Sequence, residues 1–205
     1  MSTRERWNQT WETLGVAAPT GKVFEQLIAR YAEPHRAYHT LDHIQECLEQ
    51  LGSAPEPANA TEIEVALWFH DAINDPHAAD NEEKSAEWAR QIMHRYGVDA
   101  AIIARAVDLI MITKHGTQPS TPDQELLVDI DLSILGAPGP RFDEYENQIR
   151  QEYSWVPEHT FRTTRSRILR EFHRRPRLFC TDCFFRRLEA RAKCNLTRSL
   201  ARLAD

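Results

Sequence analysis

The sequence predicts an all-α fold, and three observations support that prediction. Apolar residues recur at three- and four-residue spacing along most of the chain, as they do on the buried face of a helix. Glycine and proline stand almost entirely between these periodic segments. No segment of useful length alternates apolar and polar residues as a half-buried strand does. We therefore expect a bundle of helices.

The first part of the chain contains three predicted helices. The first carries two tryptophans at helical spacing and stops at Gly15, since glycine favours the end of a helix. The second ends before Pro34, and the third runs from about Thr40 to Gly52. The residues that follow, 53–60, are rich in proline and small residues and predict a loop.

Two further helices are predicted in the middle of the chain. Thr61 and Glu64 form a capping-box pattern, which predicts the start of a fourth helix over 61–73. The polar segment 74–80 predicts a loop. It leads to a fifth helix, which Gly97 closes.

Five more predicted helices complete the chain. The sixth extends from about Asp99 to Lys114. Thr121 as N-cap and Pro122 at the first helical position open the seventh, which Gly136 ends. The last three helices begin after prolines, at Pro140, Pro157 and Pro176.

Composition limits the classes of function. A chain of 205 residues, 41% of them hydrophobic, is long enough for one domain with a substantial core, which we expect to span 1–205. The net charge of −6 argues against a general nucleic-acid-binding protein. No apolar run approaches the ~20 residues that cross a bilayer, and the N-terminus lacks the apolar stretch of a signal peptide. We therefore expect a cytoplasmic protein with reduced cysteines.

Polar residues stand on the predicted core-facing stripe of the fourth helix. Ile63, Ala66 and Leu67 define this stripe at i, i+3 and i+4. Its continuation one turn later falls on His70 and Asp71. The pattern therefore predicts an imidazole and a carboxylate that face the protein interior.

The seventh helix shows the same anomaly. Leu127, Ile130 and Ile134 define its apolar stripe, and Asp131 lies within that stripe. Asp129, two residues earlier, is turned to another face of the helix. Helical phase therefore selects Asp131, and not Asp129, as the carboxylate that faces inward.

Two histidines of the third helix complete the set. His39 and His43 are four residues apart and lie at the edge of an apolar stripe. Burying an ionised carboxylate without a partner costs roughly several kcal/mol of folding free energy. Asp and His residues on three inward-facing stripes therefore need a group that compensates their charge and polarity together. A divalent cation with imidazole and carboxylate ligands supplies one. Taken singly, each His or Asp is more typical of a hydrogen-bonded core residue.

The polar residues lie within segments that resemble the HD superfamily of metal-dependent phosphohydrolases. More narrowly, the chain is similar to a small stand-alone group of predicted phosphohydrolases with this domain. The resemblance spans nearly the whole chain and rests on these segments: YAEPHRAYHTLDHI (31–44), WFHDAIND (68–75), DNEEKSAEWA (80–89), DIDLSILG (129–136), IRQEYSWVP (149–157) and ARAKCNL (190–196).

This resemblance implies a single-domain helical bundle of the HD-domain type. The metal-site core would occupy about 20–136, and additional packing helices about 140–205. One or two divalent ions (Mn, Mg, Co, Ni, Fe or Zn) are implied, with these ligands: His43, His70, Asp71 and Asp131.

The resemblance also implies a division of roles between the two histidines of the third helix. The segment YHTLDHI is similar to the YHxxxH segment of cyclic-nucleotide phosphodiesterases, by which His39 is the general acid and His43 the ligand. An exchange of these two roles stays open. Asp71 is expected to act in catalysis as well as in metal binding, because a free carboxylate oxygen would orient the attacking water.

The expected substrate is a small phosphorylated molecule, a phosphomonoester or a phosphodiester, with a nucleotide as one candidate. Candidates for binding its phosphate are His35 and Arg36 in a turn, and Lys114 and His115 after the sixth helix. Asp75 is a candidate for the pocket or for a second metal. Neither a membrane nor general nucleic acid is an expected partner, and a homo-oligomer is possible.

Two alternative functions stay open. One is a mixed-valent di-iron oxygenase on the same fold, for which Asp75, His77 or His115 would supply additional ligands. The other is a non-catalytic module that binds a nucleotide or another ligand. Cys180 and Cys183 form a single CxxC pair, for which packing is favoured over a zinc site.

Overall fold

The computed structural model describes residues 1–19, 21–54, 57, 59–114 and 116–204, and these residues form ten α-helices and no strand. The all-α prediction is therefore confirmed for the described part of the chain. A 3₁₀ helix, Leu132–Gly136, follows the seventh α-helix directly. The α-helices are α1 Thr3–Thr13, α2 Gly21–Tyr31, α3 Leu41–Gly52, α4 Ala60–Phe69, α5 Asn81–Arg95, α6 Ala100–Met111, α7 Pro122–Asp131, α8 Gly139–Glu152, α9 Glu158–Arg174 and α10 Asp182–Ala204.

Helix α4 is the central helix of the bundle and contacts α1, α3, α5, α6 and α7. Its residues from Ile63 to Phe69, apart from Glu64, are buried on every side. A helix that is apolar all round belongs in the interior of a protein. The stripe seen in the sequence is therefore only part of a wholly buried surface, which ends at His70.

Aromatic side chains fix α1 and α2 against α4. The rings of Trp7 and Trp68 pack edge to face with centroids 5.6 Å apart. The hydroxyl of Tyr31 donates a hydrogen bond to the carbonyl oxygen of Trp68 at 2.9 Å. These contacts hold the last turn of α4 in place, two residues before His70.

The predicted capping box at the start of α4 is wrong. Asn59 occupies the N-cap position, and Glu64 accepts hydrogen bonds from Arg6 and Thr10 of α1 at 2.7 and 3.0 Å. A charge-assisted bond to a guanidinium is stronger than a bond to a backbone amide, so Glu64 turns to α1. Thr61 is left without the predicted capping role.

Three helices also end earlier than the sequence predicts. Helix α4 ends at Phe69 and not at Ile73, so that Asp71 stands in the turn after the helix. Helix α6 ends at Met111, three residues before Lys114. Helix α7 ends at Asp131, where the tighter 3₁₀ helix begins.

The C-terminal helices cover the 3₁₀ helix. At Gly136 the backbone approaches α10 so closely that an added Cβ would lie 2.6 Å from Cβ of Leu188. The side-chain amide of Asn195 donates hydrogen bonds to the carbonyl oxygens of Leu135 and Ala137, both at 2.9 Å. The segments 129–136 and 190–196 are thereby joined.

Asp129 is fully buried, contrary to the sequence-based expectation, because it holds the start of α10. Its carboxylate accepts hydrogen bonds from the backbone amides of Cys180 and Thr181, each at 2.7 Å, and from the hydroxyl of Thr181 at 2.6 Å.

Cys180 and Cys183 are free thiols, and in the described residues they belong to no group that could hold a metal. None of the described helices is long and apolar enough to cross a membrane.

Candidate metal centre

Four side chains, from α3, from α7 and from the turn after α4, meet at the C-terminal end of α4. Nε2 of His43 lies 3.6 Å from Oδ2 of Asp71 and 3.3 Å from Oδ1 of Asp131. Nε2 of His70 lies 3.1 Å from the same oxygen of Asp71 and 3.6 Å from that of Asp131. The two Nε2 atoms are 3.3 Å apart. We call these four residues the His/Asp cluster.

The spacing and chemistry of the His/Asp cluster fit a divalent metal ion. Ligand atoms about 2.0–2.2 Å from one ion, at bond angles between about 90° and 110°, lie about 2.8–3.6 Å apart. The five separations given above all fall within this range. Imidazole nitrogen together with carboxylate oxygen suits several divalent ions, with water at the remaining positions. Among the described residues, His43, His70 and Asp71 form one group that could hold a metal ion, and His43, Cys47 and Asp131 form another.

A hydrogen bond to the backbone orients the Nε2 atom of His70. Nδ1 of His70 lies 3.0 Å from the carbonyl oxygen of Leu67 and must donate to it, because a carbonyl only accepts. In the neutral ring this leaves Nε2 with the free lone pair that a metal needs. Sγ of Cys47, one turn after His43 on α3, lies 3.7 Å from both ring nitrogens of His43.

The cluster combines deep burial with opposite charges. His43 and His70 are both about 2% exposed, and the side chains of Asp71 and Asp131 are 22% and 24% exposed. Burial by itself raises the pKa of Asp71, but His70 and His39 hold that pKa well below its ordinary value. The pKa of Asp131 is likewise lowered, because hydrogen bonds with His43 and His70 outweigh burial. Both carboxylates are therefore ionised at neutral pH.

The charge of Asp71 also acts on His70. Burial alone lowers the pKa of this imidazole, but Asp71 and Asp131 raise it well above its ordinary value. The imidazole is consequently able to carry a proton between the two carboxylates. A cation bound among these groups would displace that proton, so metal binding should release protons to solvent.

His39 stands beside the His/Asp cluster, outside the groups of described residues that could share an ion. Its ring centroid is 6.2 Å from that of His43. Nδ1 of His39 lies 2.6 Å from Oε2 of Glu152, at the end of α8. Of the two histidines whose roles the sequence leaves open, His43 is thus the one whose geometry fits a ligand.

Glu152 fixes both the backbone and the ring of His39. Its Oε1 accepts three hydrogen bonds, from the consecutive amides of Ala37, Tyr38 and His39, at 2.8, 2.8 and 2.9 Å. Burial by itself raises the pKa of Glu152, but these bonds and His39 lower it to about 2. In turn, burial alone lowers the pKa of His39, but Asp71 and Glu152 raise it above its ordinary value.

Sequence analysis missed Glu152, although a signal for it was present. Phe142, Tyr145 and Ile149 define the buried stripe of α8, and Glu152 continues this stripe one turn later. The test that selected Asp71 and Asp131, a carboxylate on an apolar helical stripe, therefore also selects Glu152.

A cavity of about 620 Å³ opens beside the His/Asp cluster. His39, His70, Asp71 and Asp131 line it, together with apolar side chains of the 3₁₀ helix, α8 and α9. The ring centroid of Trp155, which lines the cavity, lies 4.1 Å from that of His77. The loop after α8 thereby meets the loop after α4. The cavity gives a small molecule access to His39 and the cluster together.

Arg36 is not available to bind a substrate phosphate, contrary to the sequence-based expectation. Its guanidinium is fully buried and donates to the carbonyl oxygens of His39, Asp71 and Ala72 at 3.0, 2.7 and 3.1 Å. Its Nε donates to Glu33. Arg36 therefore joins the segment before α3 to the turn after α4 and helps to position His39 and Asp71.

The expected phosphate-binding residues after α6 do not reach the cavity either, so far as they are described. The ammonium group of Lys114 is paired with Glu83 of α5, and Lys114 is absent from the lining of the cavity. Thr113 contributes to that lining instead. His115 lies outside the described residues.

His35 and Asp75 line a different, shallower pocket. Nε2 of His35 lies 2.6 Å from the carbonyl oxygen of Asn74. The carboxylate of Asp75 accepts a hydrogen bond from the backbone amide of His77 at 2.9 Å. The structure therefore places both residues apart from the His/Asp cluster, where they fold the loop after α4.

Comparison of the sequence with models of protein families, with curated proteins and with solved structures finds no match. The residues of this chain therefore carry the functional proposal by themselves.

Proposed function

We propose that this protein is a metal-dependent phosphohydrolase of the HD type. The observation that carries the proposal is the juxtaposition of a possible metal site with a carboxylate-held histidine on one cavity. A phosphoester hydrolase needs both an activated water and a proton donor for the leaving oxygen. The motifs of the sequence, which resemble those of HD phosphohydrolases, support the same assignment.

His43, His70, Asp71 and Asp131 would hold the ion in this proposal. When bound, a divalent ion supplies Lewis-acid stabilisation of the phosphoryl oxygens and lowers the pKa of water. The second oxygen of Asp71 orients the water that attacks phosphorus, since this carboxylate lines the cavity and stays ionised. Burial of both imidazoles keeps bulk water away from these two ligands.

His39 is the general acid in this proposal. Water adds to phosphorus, the bond from phosphorus to the leaving oxygen breaks, and the proton of His39 goes to that oxygen. The protons of the water stay on the phosphate that is released or pass to solvent, and His39 takes up a proton from solvent. The raised pKa of His39 favours the protonated imidazole that this role requires. Glu152 accepts a hydrogen bond from Nδ1–H of His39, so the proton on Nε2 is the one available for transfer.

A metal assay followed by a panel of phosphoesters tests the proposal. We expect hydrolysis with at least one of Mn, Mg, Co, Ni, Fe or Zn. Asp71→Ala should abolish it and leave the helical circular dichroism intact, whereas Asp75→Ala, which alters an acid outside the cavity, should retain it. Full activity in Asp71→Ala would refute the mechanism, and failure to bind any of the metals after reconstitution would reject the site.

The non-catalytic module remains the second candidate, since the same cavity would serve a bound ligand. Tight binding of a phosphorylated ligand, with no turnover across the six metals, would favour it. The di-iron oxygenase gains no support from the described residues. Asp75 and His77 belong to none of the groups there that could hold a metal.

A further inference from the structure

The cavity extends well beyond the His/Asp cluster, along one face of α9. The α9 residues that line it recur at helical spacing and are Thr160, Phe161, Thr164, Arg165, Ile168 and Phe172. From Phe161 to Phe172 this face is about 16 Å long, at about 1.5 Å per residue. We call the part of the cavity along this face the α9 arm.

The walls that accompany the α9 arm are largely apolar. Leu132, Ile134 and Leu135 of the 3₁₀ helix and Ile149 of α8 line the same cavity. Three polar lining residues, Asn74, Asn81 and Glu82, come from the loop after α4 and the start of α5, and the polar lining residues of α9 are Thr160, Thr164 and Arg165. The cavity therefore combines reacting groups with a long apolar surface.

The one charged residue of the α9 arm is already neutralised. The guanidinium of Arg165 is paired with Glu146 of α8 and lies over the ring of Tyr145, 5.2 Å from its centroid. Arg165 is only 8% exposed. The arm consequently offers no uncompensated charge to a ligand, and only the hydroxyls of Thr160 and Thr164 add exposed polarity.

We propose that the substrate is a phosphomonoester of an apolar alcohol, whose hydrocarbon part lies in the α9 arm. This inference rests on the proposed function, because it places the phosphate at the His/Asp cluster. A cavity of about 620 Å³ is large enough for a drug-sized molecule and larger than a small sugar phosphate needs. A nucleobase in the α9 arm would leave most of its donors and acceptors facing apolar walls, which is unfavourable.

Binding of n-alkylphosphonates tests the inference without turnover, because their carbon–phosphorus bond is not hydrolysed. Calorimetric titration of the metal-loaded protein should show affinity rising from ethyl- to octylphosphonate by about twofold to fourfold per methylene. The values of kcat/KM for the corresponding n-alkyl phosphates should rise in parallel.

Variants at Ile168 locate the effect. Ile168→Asn should flatten the dependence on chain length and leave the affinity for ethylphosphonate unchanged. Ile168→Phe, which keeps an apolar side chain and fills the arm, should shorten the chain at which affinity stops rising. Ile102→Asn alters a similarly half-buried residue of α6 outside the cavity and should reproduce neither effect.

The two proposals fail in different ways. Equal affinity for ethyl- and octylphosphonate, with phosphatase activity retained, would overturn the apolar substrate and leave the phosphohydrolase intact. Dependence on chain length without hydrolysis of any phosphoester would overturn the phosphohydrolase and leave the α9 arm as an apolar binding site.

Discussion

Nδ1 of His39 lies 2.6 Å from Oε2 of Glu152, although the two residues are 113 positions apart in the chain. The same carboxylate accepts the backbone amide of His39. One buried glutamate thus sets the position of the imidazole, its orientation and its affinity for a proton.

Replacement of Glu152 by Gln should lower the pKa of His39, because it removes a carboxylate that favours the protonated ring. NMR titration of the His39 ring nitrogens measures this change. In an active preparation, the alkaline limb of the pH–rate profile should move to lower pH, since a general acid must be protonated. Glu158→Gln removes an exposed glutamate paired with Arg150 and is the control. An unchanged His39 pKa in Glu152→Gln would contradict the assignment.

Glu152 should also make stability depend on acid pH. Its pKa is about 2 in the folded protein against an ordinary value of 4.5, so the ionised form favours folding. Its contribution is fully present above about pH 4.5, is lost as the pH falls toward 2, and amounts to roughly 3 kcal/mol at pH 7. Urea unfolding of the wild type and Glu152→Gln should therefore show a gap at pH 7 that narrows by pH 3. A gap independent of pH would count against an ionised Glu152.

Asp129 and Asp131 should separate metal binding from folding. Asp131→Asn should weaken the calorimetric affinity for Zn, Co or Mn at least tenfold and remove the rise in Tm that added metal produces. Asp129→Asn should leave metal affinity unchanged and reduce stability by about 1–3 kcal/mol, because its carboxylate holds the start of α10. Loss of metal affinity in Asp129→Asn alone would reverse the two roles.

Arg36→Lys should destabilise the protein by about 2–4 kcal/mol, because lysine cannot reproduce the bonds of a buried guanidinium to three carbonyl oxygens. Thermal unfolding measures the effect. Arg30→Lys changes a half-exposed arginine on α2 and should shift Tm little. A raised KM with unchanged Tm in Arg36→Lys would instead indicate direct contact with substrate.

Gly136→Ala should destabilise the contact between the 3₁₀ helix and α10. The new methyl group would lie 2.6 Å from Cβ of Leu188 and 3.1 Å from its carbonyl oxygen, so one element must shift, at a cost of about 1–3 kcal/mol. Gly52→Ala, at the open end of α3, meets no atom within 4 Å and should be neutral or slightly stabilising. Urea unfolding of both variants makes the comparison, and equal stability would contradict the close approach.

The periodic pattern by itself determined that the chain is helical and that His70, Asp71 and Asp131 continue apolar stripes. Helical phase is local, because it compares residues three and four positions apart, and a sequence reports such neighbours directly. It placed Asp131 and Asp129 on different faces of α7, but both faces are covered, and Asp129 is the more deeply buried of the two. It also singled out His70 and Asp71, although α4 ends before both residues.

Only the tertiary structure decided which partner each polar side chain meets. Arg36 resembled a phosphate-binding residue in sequence, but three carbonyl oxygens occupy its guanidinium. Glu64 suited a capping box, but Arg6 of a different helix binds it more strongly. The His39–Glu152 bond joins α3's leading segment to α8, and no local pattern encodes a contact across 113 positions. Such pairs depend on how the helices pack around α4, which is a property of the whole chain.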